Sequence, residues 1–148
     1  MSETCTPDEM EIRELISRQF ECLNWSPDED ADWDGLVDGF VAGATLFGAK
    51  RPASPQTPEE FAERMKALRD NQGVLEFAEK GICCEVFVIG NVAIAAAGCE
   101  MTENQTDVTR DISCFLLVKN PEGWRVAAQG WDYVDDIPAA FSAAGLTD

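Results

Sequence analysis

Apolar positions along this chain follow two rhythms, and the change from one to the other falls near Gly73. Residues 7–24, PDEMEIRELISRQFECLN, set Ile12, Leu15, Ile16, Phe20 and Leu23 at three- and four-residue spacing behind an acidic first turn. That spacing predicts an amphipathic helix. WSPDEDAD breaks it at Pro27, and a short second helix is predicted through DWDGLVDGF, burying Trp33, Leu36, Val37 and Phe40. ATLFG reads as a short strand and KRPASPQ as a loop. TPEEFAERMKALRDN predicts a third helix, with Thr57 and Glu60 as a capping box, Pro58 at the first position, and Phe61, Met65 and Leu68 as the apolar stripe.

Beyond Gly73 the period shortens to two. GICCEVFVIGN and VAIAAAGCEMT predict a hairpin turned at Gly90-Asn91, and DVTRDISCFLLVKN and GWRVAAQGWDYV a second one turned at Pro121-Glu122-Gly123. DDIPAAFSAAGLTD is expected to form a loosely packed tail. With no internal repeat and no linker, the 148 residues are expected to form a single domain. Helices first and strands afterwards predict an α+β fold, with helices on one face of an antiparallel sheet.

Composition narrows the function classes. The 28 acidic and 11 basic side chains give a formal net charge of -17. Such a field repels phosphate backbones and anionic lipid, which argues against nucleic-acid and membrane partners. No apolar run approaches the ~20 residues of a membrane span, and MSETCTPDEMEIREL lacks the basic and hydrophobic regions of a signal peptide, so a cytoplasmic protein is expected. The six cysteines show no CxxC spacing and there is no histidine, which removes the usual zinc sets and the Ser-His-Asp and Cys-His triads. Buried, reduced thiols are expected instead. Chemistry here must use carboxylates, Tyr133, Lys, Arg or thiols, and no cofactor is called for.

One acidic run imitates a calcium loop. In DEDADWDGLVDGF, Asp30, Asp32 and Asp34 alternate and Gly35 follows. Position twelve counted from Asp30 is Val41, which cannot ligate, and a strand rather than a helix is predicted next. The run is expected to cap the second helix through Asp30 or Asp32, with no metal bound.

The same run, as DADWDGLVDGFVAGATLFG, resembles the segment from the second helix to the first strand of the NTF2-like superfamily, which includes ketosteroid isomerases and SnoaL-like cyclases. TPEEFAERM, GNVAIAAAGCE and FLLVKNPEGWRVAAQGWD follow in the family's order, so the resemblance spans roughly residues 8 to 133. It implies a cone, in which a strongly curved sheet wraps a pocket closed by helices, and a homodimer through the sheet's outer face. It does not carry the isomerase chemistry over. Gly48 stands at the position of that family's catalytic Asp, Gln19 at that of its oxyanion-hole Tyr, and Phe115 at that of its second Asp.

Strand alternation sorts candidate pocket residues into two sets. One contains Ala96, Gly98 and Glu100, then Asp111, Ser113, Phe115 and Leu117, then Trp124, Val126, Ala128, Gly130 and Asp132; the other contains Cys99, Met101, Arg110, Gln129 and Trp131. Both mix apolar and charged members. Likeness to the ketosteroid isomerases favours the first set as pocket-facing, provided the hairpins contain no extra residue. On that reading Glu100, Asp111 and Asp132 are the candidate acids and bases, with pKa values raised by an apolar surround, or else they sit solvated at the rim. Ala96, Gly98, Ala128 and Gly130 leave room for a ligand, with Ser113, Phe115, Trp33 and Trp124 beside it. Trp33, Trp124, Trp131 and Tyr133 stack a flat ligand or else serve core and interface. Two functions stay open: a small-molecule pocket with proton-transfer chemistry on an apolar or polyketide-like compound, and a non-enzymatic dimeric assembly module with a vestigial pocket.

Overall fold

The computed structural model describes residues 5–146. Helix α1 (Pro7–Cys22) starts where the Thr6 side chain accepts the Glu9 N–H at 3.1 Å, and α2 (Trp33–Asp38) starts at Asp32, whose carboxylate accepts the Gly35 N–H at 2.9 Å. The acidic run is therefore a helix cap. Asp30, beside it, accepts from the Ala31 N–H and the Trp33 ring N–H and pairs with Arg69. Helix α3 (Pro58–Asn71) has the predicted capping box, with both reciprocal bonds between Thr57 and Glu60.

The strands are β1 (Phe40–Phe47), β2 (Pro55–Gln56), β3 (Phe77–Ile89), β4 (Val92–Glu103), β5 (Asp107–Asn120) and β6 (Gly123–Tyr133). They form one open sheet in the order β2-β1-β6-β5-β4-β3, antiparallel except where β1 runs parallel to β6. The β3–β4 turn carries Gly90 at φ +61°, a conformation that favours glycine at the first central position of a two-residue hairpin. Helices α1 and α3 cover one face of the sheet, and a core of Ile12, Ile16, Leu36, Leu46, Leu117 and Val126 fills the space between. The N-terminus of α1 is pinned to the β5–β6 turn. Asp8 accepts from the Trp124 ring N–H and from Lys119, both at 3.0 Å, and Glu11 accepts the Trp124 backbone N–H at 2.7 Å.

The tail departs from expectation. Residues Ile137–Ala143 form α4, capped by Asp136, and Ile137 and Phe141 are almost fully buried against the opposite face of the sheet over Ala96. Helices therefore lie on both faces. Gly98 is what lets α4 approach, since a Cβ there would lie 2.5 Å from Ile137. The two final residues of the tail lie outside the described part. The cysteines also divide: Cys22 and Cys99 are buried, Cys83 and Cys84 half-buried, while Cys5 and Cys114 are exposed.

Candidate functional site

Between the helix-covered face of the sheet and helices α1 and α3 lies a cavity of about 260 Å³. Gln19, Phe20 and Leu23 of α1 and Phe61, Arg64, Met65 and Leu68 of α3 form its roof. Phe40, Leu46, Phe77, Glu79, Met101, Glu103, Thr109, Asp111, Ser113, Gln129, Trp131 and Tyr133 form its walls, each brought inward by strand register.

That register explains which expected residues arrive. Directly opposed residues of an antiparallel pair share a face. Across β4 and β5, Cys99 opposes Asp111 and Glu100 opposes Arg110, because a three-residue loop, Asn104 to Thr106, joins Glu103 to Asp107. Odd positions of β4 therefore point inward together with odd positions of β5. On β6 the face changes partway. Leu117 opposes Val126 but Leu116 opposes Ala128, so Ala127 is an extra, bulged residue. Trp124 and Val126 point inward before the bulge, and Gln129, Trp131 and Tyr133 after it.

The expected pocket set is corrected accordingly. Asp111 and Ser113 line the cavity, and Phe115 is buried in the core beside it. Glu100 faces outward and forms a cross-strand pair with Arg110 at 3.0 Å. Asp132 is exposed on the outer face and accepts the next backbone N–H. Ala96 and Gly98 lie beneath α4, and Ala128 and Gly130 line an apolar groove on the outer face. Trp124 is a core residue held by Asp8. Trp33 sits on α2 against Trp25, with Lys66 and Arg69 over its ring at 5.5 and 5.9 Å. In each case a side-chain parity or a helix contact, rather than residue type, decides the position.

The residue that sequence reading missed is Glu79. It lies near the start of β3, opposite Met101, and its backbone N–H is held by the Asn24 side chain at 2.6 Å. The bulge between Gly81 and Cys83 turns Glu79 inward although the core positions Cys84 and Val86 farther along have the opposite parity. Its Oε2 is buried with no hydrogen-bond partner among the described residues. The residue as a whole is half-buried and lines the cavity. Burial, and then the nearby Asp111 carboxylate, push Glu79 up to about 8. Burial alone pushes Asp111 up to about 6. The asymmetry is what coupled titration requires: Asp111 ionises first, beside a Glu79 that is still neutral, and Glu79 then ionises against a charge. The Cys99 thiol next to them is fully buried and driven strongly upward by burial and by both carboxylates, so it stays protonated.

A second polar group completes the wall. Gln19 and Gln129 exchange amide hydrogen bonds at 2.9 and 3.0 Å, and Gln129 also donates to the Ser113 hydroxyl at 3.3 Å. Phe61 meets Trp131 edge-on at 5.4 Å between ring centres. The arrangement is an aromatic-lined cavity whose wall carries the Asp111 and Glu79 carboxyls with separated proton affinities, Glu103 beside them, and a fixed amide–hydroxyl network. Among the described residues no cluster of three or more His, Cys, Asp or Glu is placed to hold a metal.

This architecture is that of known structures at low sequence identity. An NTF2-like protein with a cystatin-like fold from Novosphingobium aromaticivorans matches with TM-score 0.71 at 18% identity, over 91% of this chain and 87% of that one. An NTF2-like protein of unknown function from Pseudomonas putida matches at 0.69 and 15% identity, over 93% and 94%. A protein from Streptomyces avermitilis, provisionally named a dehydratase of the NTF2-like family, matches at 0.67 and 12% identity, over 88% and 100%. No protein-family model matches the chain, and no curated protein does. The chain has the NTF2-like, cystatin-like α+β fold. Among the described residues no helix is long and apolar enough to cross a membrane.

Proposed function

We propose that this is a small-molecule protein whose cavity performs proton transfer, of the isomerase or dehydratase type, on a compact apolar ligand. The supporting observation is the pair of carboxyls on one cavity wall, Asp111 at about 6 and Glu79 at about 8. Two carboxyls whose surroundings separate their pKa values provide a base and an acid at the same pH. In this reading the ionised Asp111 removes a proton from ligand carbon. Neutral Glu79 donates a hydrogen bond, or the proton itself, to the oxygen on which charge develops. Gln19, Gln129 and Ser113 hold the ligand's remaining polar group. The dehydratase named among the structural neighbours is consistent with this reaction class.

The reaction class can be tested before the substrate is known. Ring opening of 5-nitrobenzisoxazole needs only a desolvated base, and in this protein its rate should rise with pH through a midpoint near 6. Asp111→Asn should lower that rate at least tenfold. Equal rates in wild type and Asp111→Asn would remove Asp111 as the base.

The alternative, an assembly module with a vestigial pocket, is less well supported because the cavity is not filled. Its dimeric component is retained in the proposal. Phe87, Ile89, Val92, Ile94 and Leu116 are all large, apolar and 44–74% exposed on the sheet. A second copy on this face would cover them, and light scattering should give twice the 16.2 kDa chain mass. The six free cysteines fit a reducing compartment, and the cytoplasm is proposed on that ground.

A further inference from the structure

The cavity is polar at two ends, and the ends have opposite character. Its carboxyls lie on the β3–β5 side, as Glu79, Asp111 and Glu103. On the β1–β6 side the charged lining residue is Arg64, from α3. Its guanidinium lies 5.6 Å from the centre of the Phe61 ring and is placed beside Gly48 at the end of β1. An added Cβ at Gly48 would be 3.8 Å from Arg64 Nη1 and 3.5 Å from the Trp131 ring. The guanidinium and the Trp131 indole therefore lie side by side at this end of the cavity.

Arg64 differs from most of the arginines in this chain. Arg69 and Arg110 are paired with carboxylates, and Arg13, Arg51 and Arg125 donate to backbone carbonyls. Arg64 is solvent-exposed as well as cavity-lining, and among the described residues it has neither a carboxylate within salt-bridge distance nor a hydrogen bond. An unpaired guanidinium with an aromatic face beneath it is matched, in geometry and charge, to a planar carboxylate.

We propose that the ligand of this cavity is a small cyclic or aromatic carboxylate, with its carboxylate received by Arg64 and its ring lying along Phe61 and Trp131. The inference rests on the cavity being a ligand site, as proposed above, and adds the ligand's charge and direction. Asp111 lies on β5, two strands from β1, a separation of roughly 10 Å at normal strand spacing. A bicyclic acid spans that length. Its charged end avoids the carboxyl wall, where an anion meets repulsion, and its far end reaches the acid–base pair. The protein's overall negative charge does not forbid this, because charges more than about 8 Å apart are largely screened at physiological ionic strength while the local guanidinium contact is not.

The test uses 1-naphthoate and 1-naphthamide, near-isosteres that differ in charge, with binding followed by quenching of tryptophan fluorescence at pH 7. The acid should bind at least tenfold more tightly than the amide in wild type. Arg64→Gln should erase that preference, lowering the acid's affinity at least tenfold. Equal affinity of acid and amide in wild type, or a preference that survives Arg64→Gln, overturns the inference and leaves the cavity reading standing. Binding of neither up to millimolar concentration overturns both.

Discussion

Glu79 shows how a single side chain joins fold, stability and chemistry. Its folded pKa of about 8 lies above its ordinary value of 4.5, and Asp111's of about 6 lies above 3.8. Groups with raised acid pKa values bind protons more tightly when folded, so the native state is favoured at low pH and loses stability as pH rises. The loss runs from about 4 to 6 for Asp111 and from about 4.5 to 8 for Glu79. Urea denaturation should therefore give a stability that falls between pH 4.5 and 8, and Glu79→Gln should remove most of the fall above pH 6. A flat wild-type profile would contradict it. Sequence reading found Asp111 and Ser113 but missed Glu79, because the predicted strand began at Gly81 whereas β3 begins at Phe77, and the bulge at Ile82 gives the added segment a parity opposite to that of Cys84 and Val86. Glu100 and Asp132 were misplaced for the same kind of reason. A loop of three residues and a bulge at Ala127 set their faces, and neither can be read from alternation.

At the scale of elements, local signals were legible and long-range docking was not. Thr57, Pro58 and Glu60 announce α3 from the sequence, and the structure places both capping bonds there. Thr57→Ala should cost about 1 kcal/mol in chemical denaturation. The C-terminal helix was missed, since its Ala-rich composition has little periodicity and only Ile137 and Phe141, four apart, mark its buried side. Its dependence on a glycine is a contact between distant segments. Gly98→Val should push α4 away from the sheet and cost about 1–3 kcal/mol, the range for overpacking a tight contact. If instead Gly98→Val is neutral, α4 is not seated as described.

For the whole molecule, the helix-then-strand order was enough to give the α+β class, and the NTF2-like architecture agrees with it. The sheet, by the β3 bulge and the three-residue β4–β5 loop, brings a glutamate and an aspartate from different strands to one wall of a cavity and separates their proton affinities. Carbon-13 NMR of the side-chain carboxyls, assigned through Glu79→Gln and Asp111→Asn and followed from pH 3 to 10, tests it most directly. The predicted result is one titration near 6 for Asp111 and one near 8 for Glu79, with Glu79 shifting downward in Asp111→Asn because that neighbouring charge is gone. Midpoints for both below 5, unmoved by the other's substitution, would contradict it.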